Sequence, residues 1–235
     1  MNRLNRRSLL SCGTVALAGS VVQAQDTRVV AQPMYAVPPR DAVVLFDGKD
    51  GSAWQHVDGK ELQWPLVDGC LEIKPGTKNI ITKQEFTDFQ LHVEFWLPKL
   101  PPEVKSQARC NSGVYMQGRY EIQILDMFNN ETYAKGGGGA IYEVKDPDVL
   151  ACLPPEQWQT YDVYFHAPRF DAAGNKTANA RMTALWNGIF IHESVEIPGH
   201  TRAALMTDPK LPGGVMLQDH SNKLRYRNLW IRPMK

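Results

Sequence analysis

The chain has 235 residues, 43% hydrophobic and 22% charged, with a formal net charge of +1. This globular balance excludes gross disorder, collagen-like chains and disulfide-mesh scaffolds, and it gives no general field for nucleic acid or an anionic membrane. At ~150 residues per domain the length allows one large domain or two small ones, with a core that needs no staple.

Residues 1–24 read as a signal peptide. Arg3, Arg6 and Arg7 precede an apolar run from Leu9 to Val22, and Val22-Gln23-Ala24 fits a small-residue cleavage site. The Arg6-Arg7 pair suits a bacterial twin-arginine leader, with an ordinary secretory leader as the alternative. Either implies a periplasmic or secreted protein. Loss of these arginines takes the net charge to about −2. No other stretch reaches the ~18 apolar residues of a membrane span. Residues 25–40, with Pro33, Pro38 and Pro39, read as an extended arm, and 41–235 as one domain. Cys110 and Cys152 could pair in an oxidising compartment, or could stay buried thiols together with Cys70.

Strand signals then follow in chain order. Segments 43–46, 70–74 and 79–83 come first. Phe89 to Leu97 alternates with period two, which places Phe89, Leu91, Val93, Phe95 and Leu97 on one face. Segments 113–117, 119–125, 160–165, 180–186, 189–191, 194–197, 214–219 and 223–232 follow. Asp68-Gly69, Pro75-Gly76 and Asn187-Gly188 mark turns, the last a strong two-residue hairpin signal. No window supports an amphipathic helix longer than two turns. The pattern predicts an all-β sandwich of two antiparallel sheets. Gly136–Gly139 interrupts it, either as a flexible loop or as backbone that passes close to a ligand.

The segment from Asn111 to Asp126 carries the strongest chemical signal. Side chains two apart share a strand face, so Gln117, Arg119, Glu121 and Gln123 are expected together, with Tyr120, Ile122 and Ile124 toward the core. A bulge near Leu125 would bring Asp126 onto the polar face. A row mixing a cation, a carboxylate and two amides favours a ligand-facing surface over a solvated one. Toward the C-terminus, Gln218 and His220 share a face opposite Asp219. Glu121, Asp126 and His220 could together hold a divalent ion of unspecified identity or move a proton, although no standard metal-ligand spacing is present. No organic cofactor is expected. Trp64 could offer a sugar platform, while most of the tryptophans suit a core.

The spacing of Glu121, Gln123 and Asp126 resembles the Glu-x-Asp-x-x-Glu strand of laminarinase- and lichenase-type glycosidases. Here Gln fills the middle position and Asp the last. The whole set of segments resembles the 3-keto-disaccharide hydrolase family. It runs through Leu45-Phe46-Asp47-Gly48-Lys49, Ile81-Thr82-Lys83, Phe86-Thr87-Asp88-Phe89, Asn111-Ser112-Gly113-Val114-Tyr115 and Tyr120–Asp126. It continues through Gly139-Ala140-Ile141-Tyr142, Trp158-Gln159-Thr160-Tyr161, Asn187-Gly188, Leu217-Gln218-Asp219-His220 and Arg227–Arg232. Departures fall at Asp50, Gly136–Gly139 and Ser221.

The resemblance implies a concanavalin-like jelly roll, export, and glycosides oxidised to a ketone at C3 as substrates. A base at C2 and an electrophile on the ketone oxygen would then suffice. Glu121 or His220 is expected as the base, with Asp126 in the catalytic group. Asn111, Arg119, Gln123, Lys83, Tyr142, Gln218 and Trp64 are expected to bind the sugar. The alternatives are a non-catalytic carbohydrate-binding module and a two-carboxylate glycosidase.

Overall fold

The structure, a computed structural model, describes residues 36–234. The expected leader at 1–24 and the first part of the arm lie outside the described residues. The strands are β1 (Val43–Phe46), β2 (Trp54–His56), β3 (Leu66–Val67), β4 (Cys70–Glu72), β5 (Ile80–Thr82), β6 (Phe89–Trp96), β7 (Ser112–Met116) and β8 (Tyr120–Ile124). The rest are β9 (Trp158–His166), β10 (Arg169–Phe170), β11 (Lys176–Ala178), β12 (Ala180–Trp186), β13 (Ile189–Ile197), β14 (Met216–Leu217) and β15 (Arg225–Pro233). The only helical turn among the described residues is the 3-10 segment Ser106–Ala108.

An eight-stranded antiparallel sheet runs β13-β12-β9-β6-β15-β4-β3, with β1 also on β15. A five-stranded antiparallel sheet runs β2-β5-β14-β7-β8, and β10 and β11 form a separate ribbon. The expected inner face of β6 is buried throughout, Phe89, Leu91, Val93, Phe95 and Leu97 being at most 1% exposed. It belongs to one apolar core with Val114, Met116, Tyr120, Ile122 and Ile124 of β7 and β8. The all-β two-sheet architecture is therefore as the alternation predicted.

Two details refine the expected strands. β13 is continuous where two short strands were expected. A register shift opposite Met182/Ala184 absorbs the break, with Ser194 left-handed (φ 48°) and its N–H on Thr183 Oγ1 (2.9 Å). Gln117 and Gly118 both have positive φ, as do Asn187 and Gly188, and Arg119 N–H bonds Met116 O (3.0 Å). Each pair makes a primed two-residue turn.

The arm is anchored on the outer face of the eight-stranded sheet. Asn228 Nδ2 and Trp230 Nε1 both donate to the Ala36 carbonyl (3.0 and 3.2 Å). Beneath it, His92 stacks on Trp230 and bonds Asp162 (2.7 Å), and Arg227 pairs with buried Glu94 (2.6 Å). Among the described residues no helix is long and apolar enough to cross a membrane.

Candidate active site

The site lies on the outer face of the five-stranded sheet. Along β7 and β8, Val114, Met116, Tyr120, Ile122 and Ile124 face the core, which turns Gly113, Tyr115, Glu121 and Gln123 to the other side. Tyr115 pairs directly with Glu121 and Gly113 with Gln123. These residues floor a cleft of about 420 Å³ with Gln107, Asn111, Tyr133, Tyr142, Arg202, Gln218 and His220 around them. Ile81 and Met216 extend the floor from Tyr115 as an apolar patch.

Among the described residues Glu121 is the only carboxylate that lines this cleft. It is 3% exposed, and burial pushes its pKa up to about 8. A hydrogen bond from the Tyr115 hydroxyl works the other way, and the charge of Glu143 adds to the rise. Tyr115 itself stays a phenol, since burial and the neighbouring Glu121 raise its pKa far above the usual range. Its oxygen accepts from Gln218 Nε2 (3.1 Å), so an amide, a phenol and a carboxylate form one directed chain. The Gln123 amide is best satisfied with its nitrogen toward Glu121 Oε1 (3.2 Å) and Ser112 O (2.8 Å). The carboxylate leans over Gly113, where a Cβ would lie 2.0 Å from Oε1. That close approach explains the glycine.

Asn111 is held by Gln107, its Nδ2 donating to Gln107 O (3.0 Å) and Oε1 (2.9 Å). The hydroxyls of Tyr133 and Tyr142 bond each other at the rim. His220 is exposed at the cleft edge, while Asp219 points away and caps the turn at Gly76 and Thr77 (2.8 and 3.1 Å).

Of the residues expected from sequence, Glu121, His220, Asn111, Gln123, Tyr142 and Gln218 line the one cleft. Four others do not. The Gln117-Gly118 turn breaks the alternation, and Arg119 is buried against the Leu211 carbonyl (2.9 Å) and Gln117 Oε1 (3.0 Å). Asp126 follows the end of β8 with no bulge to return it. Its buried carboxylate takes Arg109 Nε (2.7 Å) and Phe128 N–H (2.9 Å). Lys83 is exposed, with its backbone on Ala53 O (2.9 Å). Trp64 is core, stacked on Tyr226 at 6.1 Å.

The metal set of Glu121, Asp126 and His220 is therefore not assembled. Among the described residues no three His, Cys, Asp or Glu side chains gather at metal-binding distance. Cys110 stays a thiol, its Sγ donating to Pro98 O (3.0 Å), so the disulfide is not formed. The glycine run packs closely on other protein groups. A Cβ at Gly138 would meet Leu125 O at 2.7 Å, and one at Gly139 would meet Trp186 at 3.0 Å.

Sequence reasoning missed Tyr115, Gln107, Tyr133 and Arg202 as site residues. Tyr115 was reachable from the hairpin register once the turn was set at Gln117-Gly118. Gln107 comes from the 3-10 turn before β7 and the other two from separate loops, and none carries a periodic signal.

The fold is a two-sheet sandwich with a polar cleft on its smaller sheet, floored by one buried carboxylate. Residues 41–232 match the 3-keto-alpha-glucoside-1,2-lyase-like domain family, and the chain belongs to that family. It is similar to a crystal structure from Parabacteroides distasonis provisionally named a glycosyl hydrolase, with 35% identity over 88% of this chain and 97% of that one, at a TM-score of 0.76. A second structure of that provisional name from the same organism shares the fold at 16% identity, covering 85% of this chain and 99% of its own, with a TM-score of 0.60. No curated protein matches. Family and neighbours together make this a carbohydrate-acting enzyme.

Proposed function

We propose that the protein cleaves glycosides already oxidised to a ketone at C3, by elimination across C1 and C2. The observation that carries this reading is Glu121, the one carboxylate lining the cleft among the described residues, buried, with a pKa of about 8 that suits a base working near neutral pH. A C3 ketone acidifies the hydrogen on C2. Glu121 takes that proton, and the electron pair left on C2 is delocalised onto the ketone oxygen as an enolate. Collapse of the enolate forms the C1–C2 double bond and breaks the bond from C1 to the leaving oxygen, which receives a proton from His220. Addition of water across C1 and C2 completes a net hydrolysis. Hydroxide equivalent adds to C1, the Glu121 proton returns to C2, and the proton left from water restores His220.

The amides of Asn111, Gln123 and Gln218 and the phenol of Tyr142 would hold ring hydroxyls. A lining of amides and phenols with little charge suits an uncharged polar ligand, and the volume suits a disaccharide. The family's description as a 1,2-lyase agrees with elimination between those carbons. The two-carboxylate glycosidase loses support because direct hydrolysis needs a second carboxylate ~5–9.5 Å from the first, and Asp126 is taken by Arg109.

The test is release of free sugar from a 3-keto-disaccharide and from its parent, with and without a chelator. Release from the keto form alone is expected. Release from the parent sugar would overturn the mechanism, and release from neither would favour a binding module. Loss with the chelator would add a metal ion to the scheme.

A further inference from the structure

We propose that Arg202 and Glu143 form a clasp that positions Glu121 by joining the two loops that hold its backbone. The inference rests on Glu121 being the working base. It stands on three contacts that close a ring around that residue. The Glu121 N–H donates to Thr201 Oγ1 (3.0 Å), from the loop after β13. The Glu121 carbonyl accepts from Tyr142 N–H (3.2 Å), from the loop after the glycine run. The residue after each of these partners closes the ring, Arg202 Nη1 donating to Glu143 Oε1 (3.2 Å).

The place of β8 in the sheet explains why such a device is needed. Among the strands β8 pairs with β7 alone, and on its other edge the 139–142 loop supplies the bridge Ile122–Ile141 and the bonds Gln123 N–H to Ala140 O (2.9 Å) and Gly139 N–H to Gln123 O (2.8 Å). That edge is covered by loops instead of a further strand. Thr201 substitutes for part of a neighbouring strand. Its N–H and hydroxyl both reach Arg119 O (2.9 and 3.0 Å), and its oxygen then receives Glu121. Glu143 and Ala203 are left-handed at φ 59° and 60°, conformations that persist only where surrounding contacts impose them.

The clasp also sets charge at the base. The titratable and charged groups around Glu121 are Tyr115 on β7, Tyr133, Tyr142 and Glu143 on one loop side, Arg202 on the other, and His220 after β14. Glu143 is the like charge among them, and Arg202 compensates it. Both members are exposed, so the pair contributes little to global stability. Its effect is local.

The experiment uses amide exchange and Glu121 carboxyl titration, both followed by NMR on the intact protein. Arg202→Gln is expected to speed exchange of the Glu121 and Tyr142 amides several-fold with Tm unchanged, and to move the Glu121 midpoint to higher pH. Glu143→Gln should move the midpoint to lower pH by a few tenths of a unit. The double reversal R202E/E143R should bring exchange of both amides back toward wild type while the midpoint stays low. Unchanged exchange in Arg202→Gln, or an unmoved midpoint in Glu143→Gln, overturns the clasp. Neither measurement needs turnover, so a failed keto-sugar assay on the wild type would reject the proposed reaction without touching this result.

Discussion

The Glu121 carboxylate fills the space that a side chain on Gly113 would need: a Cβ there would lie 2.0 Å from Glu121 Oε1. The backbone of β7 therefore serves as the surface on which the carboxylate rests. Gly113→Ala should displace the carboxylate while leaving the β7–β8 ladder paired. A shift of ~1 Å in a reacting group can cost about 10²-fold in rate. We expect a loss of that order in kcat/KM on a 3-keto-glycoside, with an unchanged circular dichroism spectrum.

Glu121→Gln should abolish turnover and stabilise the fold at alkaline pH. The folded pKa of Glu121 is raised, so the native state holds a proton that the unfolded state releases. The resulting stabilisation is complete below the unfolded carboxylate range and is lost as pH rises toward about 8. Denaturation midpoints of the two proteins should diverge in favour of the variant as pH rises through that window. A variant less stable than wild type at pH 9 would contradict the assignment.

Tyr115→Phe removes the hydrogen bond that lowers the Glu121 pKa. The rising limb of kcat/KM against pH should then move to higher pH. Gln218→Leu should move it the same way by less, because Gln218 acts on Glu121 through the phenol. A limb that stays in place in Tyr115→Phe would show that another group titrates.

Asp126→Asn tests the opposite expectation. The buried Asp126 carboxylate neutralises Arg109 and caps the Phe128 N–H. Weakening that charge-assisted contact should cost about 1–3 kcal/mol of stability. The kcat on the keto sugar should change by less than a few-fold. Urea denaturation and kinetics on one preparation separate the two effects.

The sandwich was legible because burial on a sheet face imposes a period of two, and β6 and β9 display it without interruption. Glu121 and Gln123 were legible for the same reason. The rule failed at Gln117 and Arg119, where two left-handed residues turn the chain and send the guanidinium into a set of carbonyls. It failed again at Asp126, which lies beyond the last β8 residue, Ile124. Polarity alone could not separate a cleft carboxylate from one buried beside Arg109. Tyr133 and Arg202 reach the cleft from loops distant in sequence and Gln107 from the 3-10 turn before β7, a convergence set by tertiary packing. At Gly136–Gly139 the glycine signal marks a close approach whose protein partners the sequence does not name. The glycines permit close approach to Trp186 and the Leu125 carbonyl.

The contacts of Asn228 and Trp230 with the Ala36 carbonyl place Ala36 at the back of the large sheet, across the core from Glu121. An immobilisation handle added ahead of that point would attach the protein by its reverse side. The mouth of the cleft would then face the surrounding liquid, and a ligand would diffuse in without passing the support. A handle placed in the loop bearing Arg202 would do the reverse and crowd the entrance.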